Sequence, residues 1–395
     1  MKYCVLIVDG AAGWQLPERG GKTCLELAET PNLDALAKDG MSGLVQTVPE
    51  GMEPSSACAC MSLLGYDPEV YYKGRASIEA VSMGIAIAEE EVVFRCNLVT
   101  IEGGKMESYC AGHISSDEGE KLIAALNDGL GSDNVRFYPG VGYRHLLKLK
   151  GREDTTRAIC TPPHDISGKP IAGYLPQGKG NSFLNQLMDS STVVLVGHPV
   201  NRARQAKGDL PANMIWLFWG SGPVPQMPAF EKTYGLKAAL TSGVDLLCGL
   251  GRMMSMEILE IPNVTDGLDN DFEGQTEGAL KSLDKNDIVV IHIEAPDEAG
   301  HSGCIEDKVE AIQRIDKEVV SRLKSYRPGN LRLLIMPDHP TPIEIRTHVA
   351  EPVPFVLWGP GFSANGAKRF TEAEAKTTGL FIDKGYNIMA KLVGS

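Results

Sequence analysis

Between Asp287 and His301 the chain reads DIVVIHIEAPDEAGH, and this stretch concentrates residues able to do chemistry. Its first part, Ile288 to Ile293, is rich in β-branched residues and reads as a fully buried strand. Glu294, Asp297 and His301 follow at once. A second strand-like run, Leu331 to Met336, ends at Pro337-Asp338-His339, with His348 further on. Four of the eight histidines therefore lie between His292 and His348. In an open α/β sheet, ligands gather outside the carboxyl ends of the strands. Carboxylate oxygens and neutral imidazole nitrogens together suit Mn or Zn. Any one of these residues alone is an ordinary hydrogen-bonding loop residue; as a set they point to metal binding.

Two further residues fit that chemistry. Lys2 to Val8 is a hydrophobic strand that closes on Asp9-Gly10, another carboxylate at a strand end. Pro54-Ser55-Ser56-Ala57 precedes CACMSLLGY, a predicted helix with serines at its start. A helix N-terminus offers unpaired N–H groups and a positive dipole end, which favour an alkoxide and a phosphate. Taken alone, Ser55 or Ser56 is an N-cap. Beside a metal cluster, one of them becomes a candidate nucleophile. Gly20-Gly21-Lys22-Thr23 is not a phosphate loop, because the first glycine of that motif would fall at Leu16.

The elements that must position these residues follow an α/β rhythm at both ends of the chain. At 395 residues the chain is long enough for two domains, or for one domain carrying an insertion. Thr30-Pro31 opens a predicted helix that stops at Gly40. From about Val92 the pattern changes to short alternating strands, VVFRCNLVTI, VRFYPG and YRHLLKLKG. A Gly/Pro-rich stretch then leads to a helix near Phe183, a predicted strand STVVLVGH, and the run MIWLFW. After about Gly235 the longer rhythm returns, with a helix over Ser242 to Met254 and a strand over Glu257 to Ile261. An amphipathic helix covers Asp307 to Ser325, followed by a strand over Pro354 to Trp358 and a C-terminal helix. The expected division is a core made of 1–91 and 236–395, with 92–235 inserted as a compact mixed α/β unit. That insertion carries Arg95, His113, His164, Asp165, Arg202 and Arg204 beside loops or turn signals. The pair Arg202 and Arg204 suggests anion binding, since guanidinium forks match phosphate and carboxylate.

The net formal charge of −13 argues against nonspecific nucleic-acid binding and against attraction to anionic membranes. Nine scattered cysteines, with no zinc-finger or CxxC spacing, read as reduced thiols. No stretch resembles a signal peptide or a membrane span, so the expected location is the cytoplasm.

The chain start, SLLGYDP, the run from His292 to Gly303, and PDH with His348 resemble the alkaline phosphatase superfamily. Together with TPNLDALAKDG, FRCNLVT, AGHISSDEGEKL, PPHDISGK and HPVN, they look like its archaeal-type cofactor-independent phosphoglycerate mutases. That resemblance implies an α/β fold, an alkaline-phosphatase-like three-layer sandwich core with an inserted smaller mixed α/β domain. It implies two divalent metals, Mn or Zn and possibly Mg, and no bisphosphoglycerate cofactor. One metal would be held by Asp297, His301 and His348, the other by Asp9, Ser56, Asp338 and His339. Ser56 would be the nucleophile and Asp165 the acid/base. His113, Arg95, His164, Arg202 and Arg204 would bind a small phosphorylated substrate. The implied reaction interconverts 2- and 3-phosphoglycerate through a phosphoserine.

The sequence also departs from that family. Around the nucleophile the family's acidic residue and asparagine are replaced by Ala57 and Cys60, and its usual Lys or Arg by Cys248. A typical Tyr-Leu-Asp-Thr-Asn-Tyr is here Gly267 to Phe272. Alternatives are another metal-dependent phosphotransferase, such as the homoserine kinase proposed for a bacterial branch, a phosphatase, or a noncatalytic binding protein. The chain has neither a P-loop nor a kinase signature set.

Overall fold

A computed structural model describes residues 1–326 and 330–394. The chain separates into two compact units, Met1–Tyr72 with Gln226–Ser395, and Lys73–Pro225. These divisions lie at 72/73 and 225/226, against 91/92 and 235/236 expected from sequence. The helix Arg75–Ser82 accounts for much of the difference. Its buried Ala76 and Ala80 pack with Val93 and Leu146 of the second unit's sheet.

The first unit is built on an eight-stranded sheet. In spatial order its strands are Phe381–Ile382, Met41–Val45, Val353–Trp358, Leu331–Met336, Lys2–Val8, Ile288–Ile293, Ala238–Thr241 and Glu257–Ile258. The last five of these run parallel to one another, and Val353–Trp358 pairs antiparallel with both of its neighbours. Ile288–Ile293 is buried at every position and Lys2–Val8 at all but its first. Such continuous apolar runs are what a sheet covered on both faces requires. This is the expected α/β sandwich. Because Lys2–Val8, Ile288–Ile293, Leu331–Met336 and Ala238–Thr241 are parallel, the residues following them share one end of the sheet.

Several predicted elements are modified by packing. The expected strand Glu257 to Ile261 is only Glu257–Ile258. The predicted helix Asp307 to Ser325 starts at Ile305 and passes through a π-helical segment, Ile315–Val320, before ending at Ser325. No helix of the described residues is long and apolar enough to cross a membrane.

In the second unit, Glu91–Glu102 pairs antiparallel with Arg144–Lys150, Met214–Ser221 and Lys105–Ser108, and Val135–Tyr138 flanks Arg144–Lys150. Of the segment STVVLVGH, read as a strand, His198 caps the following helix, while Ser191 to Leu195 instead end the helix Asn181–Leu195. Leu184, Leu187, Met188, Ser191 and Leu195 share its buried face, while Val193 is 84% exposed. Helical burial of that stripe outweighs the local β-propensity of the valines. Arg202 and Arg204, placed near turns from sequence, lie on the helix Pro199–Lys207.

Candidate active site

The parallel strands deliver Asp9, Glu294, Asp338 and His339 to one edge of the first unit's sheet. Asp297 and His301 stand one turn apart on the helix Ala295–Ser302, which begins directly after Ile288–Ile293. Gly10 allows the first turn to approach that helix. Its φ is +61°, and a Cβ there would lie 2.7 Å from the Cα of Asp297.

Two groups of three form. In one, His301 Nε2 is 3.1 Å from Asp297 Oδ2, and His348 Nε2 is 3.6 Å from Asp297 Oδ1. The two imidazole Nε2 atoms are only 2.9 Å apart. The backbone carbonyl of Arg346 lies 2.9 Å from His301 Nδ1, which fixes that ring from behind. In the other, His339 Nε2 is 3.2 Å from Asp338 Oδ2 and 3.6 Å from Asp9 Oδ1. Asp338 Oδ1 accepts from the backbone N–H groups of Gly10 and His339, at 3.2 and 2.8 Å. The groups adjoin: the His339 and His348 rings are 4.0 Å apart, and Thr341 Oγ1 donates to Asp297.

Ser55 is the N-cap of the helix Ser56–Leu63, accepting from the Cys58 N–H at 3.3 Å. That leaves Ser56, the first helical residue, with its Oγ 3.2 Å from His339 Nε2. The structure thus brings together Asp9, Ser56, Asp297, His301, Asp338, His339 and His348.

A third group, Asp9 with His292 and Glu294, had no place in the ligand sets inferred from sequence. Strand alternation is the signal for it, since residues two apart project to the same side. His292 Nε2 lies 2.7 Å from Asp9 Oδ2 and 3.4 Å from Glu294 Oε2.

The electrostatics are those of a site built around positive charge. Burial pushes the Asp9 carboxyl well above its ordinary range, and Asp338 and Asp297 push it further. Burial and then Asp9 do the same to Glu294. Burial also opposes the charge on Asp297, yet His348 and His301 hold its pKa well below the usual range. Burial works against His301 as well, but Asp297 lifts it to about 9. His339 is pushed down to about 4, chiefly by burial. Asp9 Oδ1 and Glu294 Oε2 are buried without a hydrogen-bond partner. Orphaned carboxylate oxygens and imidazole nitrogens turned toward one another are what a divalent cation would satisfy. The residues fit such a group.

In the second unit, Arg95 and His164 share a cluster that sequence reading did not complete. Arg95 is 7% exposed, and both it and Arg75 pair with Glu79. Arg75 lies over the Trp219 ring at 4.7 Å, and His164 is 5.9 Å from the same ring. Burial opposes the charge on Glu79, but Arg95, Arg75 and Arg144 overcome it and lower its pKa. Three guanidinium groups around one carboxylate leave a positive surplus, and Arg95 Nε is buried without a partner. Trp219 adopts φ of +49°, a strained backbone for a bulky residue, of the kind found where a site is held in shape. His113, with φ of +54°, Asp165 and Arg202 are exposed, and Asp165 Oδ1 lies 3.7 Å from His164 Nε2. Arg204 is buried and fully engaged: it donates to Glu118 at 2.6 Å and to the carbonyls of Leu210 and Ala111. Its position is structural, and the Arg202–Arg204 pair does not form a joint anion fork.

Residues 37–201 match the family model for 2,3-bisphosphoglycerate-independent phosphoglycerate mutase. The chain is 45% identical to the protein of that name from Methanosarcina acetivorans, over the full length of both. The chain belongs to the 2,3-bisphosphoglycerate-independent phosphoglycerate mutase family. A second member, from Methanothrix thermoacetophila, is 46% identical over the full length of both chains. The solved structure of the cofactor-independent phosphoglycerate mutase from Thermoplasma acidophilum superposes with a TM-score of 0.65. It is 27% identical to this chain, with 100% of this chain and 99% of that one covered. A structure from Pyrococcus horikoshii, 24% identical, shares the fold at a TM-score of 0.83, covering 100% of this chain and 96% of that one.

Against the mutase family pattern, the Cys60 thiol stands beside the site, 3.5 Å from Asp338 Oδ2. Burial raises its pKa well above the ordinary value, and Asp338 and Asp9 raise it further, so it is a neutral thiol there. Cys248 is part-buried on the helix Asp245–Met253, its Sγ 3.8 Å from the Ser242 carbonyl.

Proposed function

We propose that the chain interconverts 2- and 3-phosphoglycerate, without a bisphosphoglycerate cofactor, through a phosphoserine on Ser56. The observation that carries this reading is the Ser56 hydroxyl standing 3.2 Å from His339, beside two adjoining Asp/His groups. Full-length kinship with proteins named as mutases supports it over the kinase considered from sequence.

In this reading Asp297, His301 and His348 hold one divalent cation, while Asp9, Asp338, His339 and Ser56 hold the other. Mn or Zn suits these mixed nitrogen and oxygen sets, and Mg is the third choice. When bound, such cations would favour the serine alkoxide and offset charge on the phosphoryl oxygens. The protein supplies the rest. The helix Ser56–Leu63 fixes the hydroxyl, with Ser55 taking the capping role so that Ser56 Oγ stays free of it. Ser56 Oγ forms a bond to phosphorus as the substrate's C–O–P linkage breaks, and the glycerate oxygen takes up a proton. The other glycerate hydroxyl then loses its proton and removes the phosphoryl group from Ser56. Asp165 is the candidate acid/base for these hydroxyls. Arg95 and His164, joined by Arg75 and Trp219, form the cationic surface suited to the substrate's anionic groups. The thiols, all of them unpaired, fit a reducing cytoplasm.

The test uses labelled 3-phosphoglycerate and Mn. Wild type should form an acid-stable phosphoserine and produce 2-phosphoglycerate. Ser56→Ala should form none and lose at least about a thousandfold in rate, while still binding metal. Labelling of Ser56→Ala at the wild-type level would overturn the assignment.

A further inference from the structure

His292 is a buried side chain that the proposed reaction does not use. Its strand, Ile288–Ile293, lies between Lys2–Val8, which Asp9 follows, and Ala238–Thr241, which Ser242 follows, with Ile7 paired to His292 and Thr241 to Ile291. The imidazole spans the gap. Nδ1 is 2.9 Å from Ser242 Oγ, and Nε2 is 2.7 Å from Asp9 Oδ2.

The direction of these hydrogen bonds follows from proton counting. The Val244 N–H donates to Ser242 Oγ at 3.0 Å. Accepting there leaves the serine hydroxyl able to direct its own hydrogen to Nδ1. A neutral imidazole that accepts at Nδ1 carries its proton on Nε2. With Asp9 ionised, as a cation's ligand must be, a bare Nε2 would set its lone pair against a carboxylate oxygen 2.7 Å away, so the Asp9 contact selects the Nε2–H tautomer and the Ser242 hydroxyl complements it. The relay therefore runs from Val244 through Ser242 and His292, and ends on Asp9 Oδ2. The other oxygen, Oδ1, is buried, has no hydrogen-bond partner, and lies 3.6 Å from His339 Nε2.

We propose that His292 is a positioning residue: Ser242 holds it as the Nε2–H tautomer, and it occupies Asp9 Oδ2 so that Oδ1 alone is presented to a divalent cation. This rests on the metal-binding reading given above. It also excludes the alternative use of Asp9, His292 and Glu294 as a third cation site. That use would need a bare Nε2. Outer hydrogen bonds of this kind orient ligating carboxylates and typically change metal affinity by about 10–100-fold.

The decisive measurement is Mn titration into the metal-stripped full chain by calorimetry, with wild type taking up two ions. His292→Leu keeps bulk without a donor, Ser242→Ala removes the hydroxyl that complements the tautomer, and His292→Gln returns an N–H near the Nε2 position. The first two should weaken the Asp9-side ion about 10–100-fold, and His292→Gln should recover most of that loss. Nitrogen NMR of the wild type loaded with Zn should find the His292 proton on Nε2. Ser242→Ala and this spectrum carry the test should His292→Leu not fold. Unchanged affinity in Ser242→Ala, a proton on Nδ1, or a third Mn that His292→Leu removes would each overturn the role. A wild type that binds no cation defeats the metal reading itself; two ions indifferent to these substitutions defeat only His292.

Discussion

Ser55 and Ser56 have the same side chain, and only their places in the helix differ. Ser55 spends its oxygen on the Cys58 N–H, while Ser56 faces His339. Identity of residue type could not separate them; one residue's rotation about a helix start does. A different kind of residue effect occurs at His145, in the second unit. It is buried, accepts from the Gly140 N–H at 3.0 Å, and has Nε2 unpartnered. Burial drives its pKa down to about 3. The unfolded imidazole titrates near 6.5, so on acidification the unfolded chain takes up a proton that the folded chain refuses. No cost arises above about pH 6.5; by pH 5 it reaches about 2 kcal/mol against the fold. His145→Gln should remove that dependence. Urea unfolding at pH 7 and pH 5 checks this: wild type should lose more stability than the variant between the two. Equal losses would mean that His145 is protonated in the folded chain.

At the scale of elements, the strand-to-loop turn at Gly10 is where the site is most sensitive to backbone shape. A Cβ there needs both a left-handed φ and space already taken by Asp297. Gly10→Ala should cost about 1–3 kcal/mol and push the helix Ala295–Ser302 away from Asp9. Thermal unfolding reads the first effect and Mn affinity the second; a variant with wild-type affinity would show that the turn tolerates displacement. The helix Asn181–Leu195 shows the opposite balance. Its last turn is made of residues that favour strands, yet the buried stripe from Leu184 to Leu195 decides its conformation. Similarly, the three arginines around Glu79 come from a helix and two strands, a grouping that no local pattern announces.

For the whole molecule, the first unit gathers buried carboxylates whose mutual repulsion a bound cation would relieve. Metal that binds only the folded state stabilises it by about 2.7 kcal/mol at a hundred times its dissociation constant. For a unit of this size the midpoint of thermal unfolding should rise by about 5–10 °C. Calorimetric scans with Mn and then with chelator check the sign and the reversal. A midpoint indifferent to Mn would remove the support for cations as part of the resting protein.

The sequence by itself determined the strand ends, because β-branched runs closing on Asp9, on Glu294 and on Asp338-His339 mark buried parallel strands whatever surrounds them. Those ends pointed to a metal cluster, and the resemblance to the alkaline phosphatase superfamily completed it as Asp9, Ser56, Asp297, His301, Asp338, His339 and His348. Only the tertiary structure decided that the two groups adjoin, that Ser55 is the cap, and that Arg204 is buried against Glu118 rather than presented to an anion. It also decided that His292 reaches Asp9 on one side and Ser242 on the other. Pattern along a chain reports which face is buried; distances between residues hundreds of positions apart follow from strand order and register, which the local pattern does not carry.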